Sequence, residues 1–176
     1  YLNLLAAAMD DQTSARVHPA FLSVLRQLTA DEVLLISQFQ HDGPYPLVTV
    51  LARYKYGGSI STELRNYSLL GVEAGCEHPD RVPFYIDNLC RLGLAEIRPV
   101  RVSDDTRTFR PLEQSPEVQA AIARIEANPP APLKEGGQED DGDRVVPDVQ
   151  RKALFVTDFG RRFYEACEYR PESAQR

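Results

Sequence analysis

The sequence is short of the features that mark secreted, membrane-spanning and nucleic-acid-coating proteins. Cys76, Cys90 and Cys167 are its only cysteines, an odd number without Cys-x-x-Cys spacing. No disulfide framework is expected from them, and a reducing cytoplasm is. No apolar run approaches the roughly 20 residues that a membrane-spanning helix needs, and no leader-type segment is visible. Positive charge is also scarce. Lys and Arg number 20 against 26 Asp and Glu, leaving a net charge of −6 at pH 7. That balance works against general association with nucleic acid or anionic membranes. No Gly-rich loop follows a strand to cradle phosphate, and no Ser/His/Asp or Cys/His set can be brought together by spacing. Cys76 and His78 make a Cys-x-His pair, short of the four ligands of a structural zinc site. "EDDGD" (Glu139–Asp143) is dense in carboxylates but lacks the alternating ligands and closing Glu of a calcium loop. No catalytic, cofactor or metal residues are therefore assigned.

What is present is the composition of a globular domain, 43% hydrophobic and 26% charged over 176 residues. The opening "YLNLLAAAMDD" has no initiator Met and reads as the tail of a helix. The expectation is an upstream helical region, with residues 1–28 as its end plus a linking helix. In "SARVHPAFLSVLRQL", Pro19 suits a first helical turn and His18 a capping role. Phe21, Val24, Leu25 and Leu28 then follow the spacing of one buried face. Thr29 and Glu32 fit a capping box, and the "VLLISQF" behind them, apolar nearly all round, predicts a central helix.

"LVTVLARY" predicts a strand over 47–54 that stops at a Gly pair. A short helix follows around 69–74, then a break at Gly75. A longer helix, with Val82, Tyr85, Ile86 and Leu89 facing inward, ends at Leu92 with Gly93 as its left-handed stop. A strand through Leu94–Val102 contains Pro99, which restricts it to an edge or a bulge. "SPEVQAAIARIEA" predicts a helix capped by Ser115 with Pro116 first and Val118, Ala121, Ile122 and Ile125 inside. Residues 129–149, rich in Pro, Gly and acids, are expected to form a flexible insertion. "RKALFVT" predicts a strand, "TDFGRRFYEACEY" a helix capped by Thr157, and residues 169–176 a disordered tail.

The tripeptide Asp158-Phe159-Gly160 also ends the magnesium-binding segment of protein kinases. Here no Gly-rich phosphate loop, strand lysine or His-Arg-Asp loop precedes it, and few turns of chain follow. A helix start accounts for all three residues. Asp158 favours the helix N-terminus and can pair with Arg162, while Phe159, Phe163, Ala166 and Cys167 make a buried stripe.

The order helix, strand, short helix, turn, helix, strand, long excursion, strand predicts an α+β fold, mainly helical. Its core over 29–168 would be a winged helix-turn-helix with a small antiparallel sheet, in which Leu94–Val102 pairs with Lys152–Thr157. Three stretches, "NLLAAAMDDQTSARVHPAFLSVLRQLTADEVLL", "NYSLLGVEAGCEHPDRVPFYIDNLCRLGLAEI" and "LFVTDFGRRFYEAC", together resemble the Abi-alpha family. This is a bacterial domain family associated with abortive infection against phage. The resemblance implies a cytoplasmic bacterial protein of prophage or defence origin, and carries over no active-site residues.

Contact surfaces can be nominated without a reaction. On the second helix of the pair, Arg81, Asn88 and Arg91 could face a nucleic acid or a partner, although Asp80 and Asp87 would repel phosphate. A second set, Arg98, Arg101, Arg107 and Arg110 with Arg151 and Lys152 on the partner strand, would line the wing. Pairing of these arginines with Glu96, Asp104 and Asp105 is the plainer account. The first reading is a non-enzymatic module that binds another protein or its own upstream region. Weak DNA binding through the wing is the alternative, and an enzyme the third. Leu2, Leu5 and Met9 share one helical stripe and would support a homodimer. Replacing Leu2 and Leu5 with Asp is expected to make the chain monomeric in light scattering without unfolding it. Unfolding of that variant would instead make both leucines core.

Overall fold

The structure, a computed structural model, describes residues 18–39, 43–55, 58–100, 106–129 and 144–168. Leu2, Leu5, Met9, Arg101, the Glu139–Asp143 run and the expected tail lie outside them. The elements in order are α1 (Phe21–Leu25), α2 (Ala30–Ser37), β1 (Tyr45–Tyr54), β2 (Ser59–Tyr67), α3 (Leu70–Glu73), a 3-10 turn (Pro79–Arg81) and α4 (Val82–Arg91). They continue with β3 (Ala95–Pro99), α5 (Thr106–Glu113), α6 (Pro116–Ala127), β4 (Val145–Val156) and α7 (Asp158–Glu168). The four strands form one antiparallel sheet in the order β2-β1-β4-β3. Two compact units interleave along the chain. The first comprises Tyr1–Tyr45, Leu70–Ile97 and Leu154–Arg176, and the second Pro46–Leu69 and Arg98–Ala153.

In the first unit the local signals act as read. His18 Nδ1 accepts a hydrogen bond from Ala20 N at 3.1 Å. Thr29 and Glu32 close the capping box, with Glu32 N to Thr29 Oγ1 at 3.3 Å and Thr29 N to Glu32 Oε2 at 2.6 Å. Such a cap stabilises a helix by about 1 kcal/mol. Val82, Tyr85, Ile86 and Leu89 of α4 are all buried, and Gly93 ends it at φ +74°. One expectation is corrected. Leu35 and Ile36 of α2 are buried, but Val33 and Leu34 are 45% and 38% exposed, so this helix is not central all round.

Asp158-Phe159-Gly160 opens α7. Thr157 Oγ1 accepts from Gly160 N at 2.9 Å. Asp158 pairs with Arg161 at 2.8 Å, one residue short of the expected partner Arg162. Phe159 meets the Phe21 ring edge-on at 5.3 Å and Phe163 does so at 5.4 Å, contacts worth about 0.5–1.5 kcal/mol each beyond their burial. The glycine has its own reason. A Cβ there would stand 1.9 Å from the Leu94 carbonyl oxygen, so the chain at Gly160 lies directly on the backbone that begins β3.

β3 and β4 pair antiparallel. Thr157 N donates to Leu94 O at 3.1 Å and Val100 N to Arg151 O at 3.4 Å. The pairing of Leu94–Val102 with Lys152–Thr157 is thus observed over the described residues. Pro99 sits at the end of an edge strand, where its missing donor costs nothing.

The second unit holds the departures. The Gly pair at 57–58 does not end a lone strand, because β2 follows it and pairs back on β1, Leu51 opposite Thr62 and Ala52 opposite Ser61. Residues 106–113, expected within the wing, form α5, with Pro111 tolerated inside it. β4 runs over twelve residues, so Val145–Val149 belong to a strand and not to the expected insertion. The unit's core joins Val48, Val50 and Ala52 of β1 to Phe109 and Leu112 of α5 and to Val118, Ala121 and Ile125 of α6.

Gly160→Ala is expected to destabilise the protein by about 2–3 kcal/mol or more, since backbone must shift to admit the methyl group. Gly75→Ala, with φ +71° but open space around it, should cost only about 1 kcal/mol. Urea unfolding of the two variants checks the difference.

Candidate interaction surface

The turn between α3 and α4 carries the sequence Cys76-Glu77-His78-Pro79, in which Cys76 N closes on Gly71 O at 2.9 Å and His78 O accepts from Arg81 N at 3.0 Å. The Glu77 and His78 N–H groups need acceptors from elsewhere. Asp31, in the first turn of α2, supplies them. Its carboxylate accepts from Glu77 N at 2.9 Å, His78 N at 3.0 Å and the Tyr85 hydroxyl at 2.9 Å, and Asp31 itself is buried. Cys76 Sγ reaches the Asp31 carbonyl at 3.6 Å. The hydrogen bond from Glu77 N does most to hold the Asp31 carboxyl below its ordinary range, against an opposing effect of burial, with His78 and Tyr85 assisting. Burial first, and then the Asp31 charge, push Tyr85 up to about 12. Burial and the same charge raise the Cys76 thiol.

The far end of α4 is held differently. Asn88 Nδ2 donates to Glu32 Oε1 at 2.7 Å and to Gln27 O at 3.1 Å. Arg91 donates to Asn88 Oδ1 at 2.7 Å and to Gln27 Oε1 at 3.1 Å. Asn88 and Arg91, two of the nominated contact residues, are thereby joined to the corner between α1 and α2. Arg81 is exposed at the end of the 3-10 turn. Between these two anchored ends Phe84 is 73% exposed, and Val72 on α3 is 65% exposed. Leaving a Phe in water forgoes about 1.5–3 kcal/mol of burial. Sequence reasoning followed the polar outward positions and passed over Phe84. The signal was available, because Phe84 falls off the Val82, Tyr85, Ile86, Leu89 stripe.

The remaining nominated cations among the described residues belong to the second unit and stand on three elements. Arg107 and Arg110 stand on α5, not on a hairpin, with Arg110 exposed. Arg98 is exposed on β3 and Lys152 half-buried on β4. Arg151 grips Glu113 of α5 with two bonds, 2.6 and 3.1 Å, and lies 5.5 Å over the Phe109 ring. Its task within the unit is to fasten α5 to the sheet. Among the described residues no group of three or more His, Cys, Asp or Glu side chains could hold a metal ion, and no helix is long and apolar enough to cross a membrane.

The family model described as abortive infection alpha matches residues 1–167. No curated protein matches the chain. A solved structure of an uncharacterized protein from the hydrocarbon-degrading marine bacterium Alcanivorax borkumensis SK2 is similar. It is 21% identical with a TM-score of 0.50, over 84% of this chain and 91% of that one. At that identity it speaks to fold alone.

The Asp31 arrangement sets a dependence on pH. A carboxyl lowered in the folded state stabilises the fold above its unfolded range, about pH 4, and that stability is lost as pH falls through the folded value. For Tyr85 the raised value adds stability that is full below about pH 10 and lost as pH rises towards 12. Asp31→Asn is expected to lower the urea midpoint at pH 7 and to flatten the acid limb. Unfolding curves between pH 3 and 8 provide the check.

Proposed function

The chain belongs to the abortive infection alpha family, and on that premise we propose that it is a non-enzymatic protein-interaction module of bacterial phage defence, acting in the cytoplasm. We further propose that residues 29–168 contain a winged helix-turn-helix core. What supports this is the order of elements. Helix α2, strand β1, helices α3 and α4, then strands β3 and β4 follow one another, with β1, β4 and β3 adjacent in that order. That is the connectivity of a winged domain, with β2, α5 and α6 as additions to it.

One observation carries the interaction role. Phe84, on the outer side of the second helix of the pair, remains 73% exposed while both ends of that helix are anchored. A rigid, exposed aromatic residue is the usual form of a protein contact, because little conformational entropy is lost when it is covered. The test is a phage challenge of cells expressing the complete gene product. Phe84→Ser, with an unchanged melting temperature, is expected to reduce protection; full protection by this variant would remove the reading.

The alternative is DNA binding through Arg81 or through Arg98, Arg110 and Lys152. It is supported by the winged connectivity and opposed by Asp80, Asp87 and the engagement of Asn88 and Arg91. At physiological salt the chain should bind duplex DNA weakly or not at all. Sub-micromolar affinity in a labelled-duplex titration, lost in an Arg98/Arg110/Lys152 triple alanine variant, would put this alternative first.

A further inference from the structure

We propose that residues 1–11 form a helix that docks antiparallel along α7, turning the Leu2, Leu5, Met9 stripe inward. The proposal is independent of Phe84, and it replaces the homodimer contact drawn from the sequence alone. The receiving surface lies on one helix. Phe159, Phe163 and Ala166 stand at i, i+4 and i+7 of α7, with Cys167 next to Ala166, so they share a stripe about 10 Å long. Phe163 is buried, and Phe159, Ala166 and Cys167 are half-buried. The Phe21 ring covers the first two turns of that stripe. Leu2, Leu5, Ala6 and Met9, at i, i+3, i+4 and i+7, make an apolar stripe of the same length.

Two observations give the segment its place and its direction. At the start of α7, His18 meets the Phe159 ring edge-on at 5.5 Å and the Phe21 ring at 5.9 Å. The chain therefore passes from the segment into α1 beside Phe159. At the other end, burial raises the Cys167 thiol, the charge of the chain's amino terminus works against that rise, and Glu168 adds to it. Such an influence fades within about 10 Å at ordinary salt, so residue 1 belongs near the C-terminal end of α7. An antiparallel helix joins these two points, with Met9 level with Phe159 and Leu2 level with Ala166 and Cys167. Residues 12–17 make the return to His18, an ordinary length for a connection between helices. The segment also falls in the first unit together with α7, and inside the 1–167 range of the family model. Three large side chains bury far less than the roughly 800 Å² per partner of a stable complex. Within one chain they suffice, because a short tether holds the segment at a roughly millimolar effective concentration.

The test uses the full chain with Cys76→Ser and Cys90→Ser, which leaves Cys167 as its one thiol, and a short bismaleimide cross-linker. Adding Leu2→Cys should give a link between position 2 and Cys167 within one chain, located by peptide mass spectrometry. Adding Met9→Cys instead should give about fivefold less, because position 9 lies about 10 Å further along the helix. The proposal is overturned if position 2 does not link to Cys167, if position 9 links equally well, or if links form only between two chains. A second measurement needs no cysteine change. In the otherwise unaltered chain, Leu5→Asp should lower the melting temperature by about 4 °C or more, with both proteins monomeric in light scattering. A dimer that Leu5→Asp dissolves at an unchanged melting temperature would restore the homodimer contact and overturn the proposal.

Discussion

A carboxylate that is buried must be matched, and in this protein the match is made by two backbone N–H groups and a phenol. Asp31 takes all three from a stretch that starts 46 residues further along the chain. The connecting turn between α3 and α4 is otherwise made of residues with little to bury. Without the carboxylate, the Glu77 and His78 N–H groups would be orphans and α4 would lose its fixed entry. Desolvating a hydrogen-bond donor without a partner is among the larger local penalties in folding. The entry of α4 and the geometry of the turn that joins it to α3 depend on this one side chain.

Local rules made much of both units legible. Thr29 and Glu32, Gly93, Ser115 with Pro116, and Thr157 are each read from a few neighbouring residues, and each behaves accordingly. Asp31 was not legible, because its partners are remote in sequence and an acid in a first helical turn looks like an ordinary favourable charge. β2 was within reach. A strand, a Gly pair and a second run with Ile60, Thr62 and Leu64 at alternate positions are the ordinary signature of a hairpin, but the polar residues between them conceal it. α5 was hidden by Pro111, a residue that normally argues against a helix interior. With α5 a helix, Arg107 and Arg110 stand on a different element from Arg98, Arg151 and Lys152, and Arg151 finds its partner in Glu113.

The two units differ in how they are held. In the second, long strands and two helices share an aliphatic core, and ion pairs such as Arg151 with Glu113 and Arg53 with Asp148 run between its elements. In the first, the elements are short, and polar staples at Asp31, Glu32, Asn88 and Thr157 supplement a core of Phe and Leu side chains. Short helices gain little from their own backbone hydrogen bonds, since nucleation is costly. Tertiary anchors must make up the difference, and the buried Asp31 and Glu32 are two of them.

The aromatic contact of Phe21 with Phe159 and Phe163 has a bearing on how the chain is made. Phe21 leaves the ribosome before its ring partners, which are added roughly 140 residues later. At about 5–20 residues per second the delay is about 7–30 s. For that time the newborn chain carries a bare benzyl group in an unfinished domain, the kind of exposed apolar surface that chaperones cover. Biogenesis of this fold is therefore a wait for its last helix.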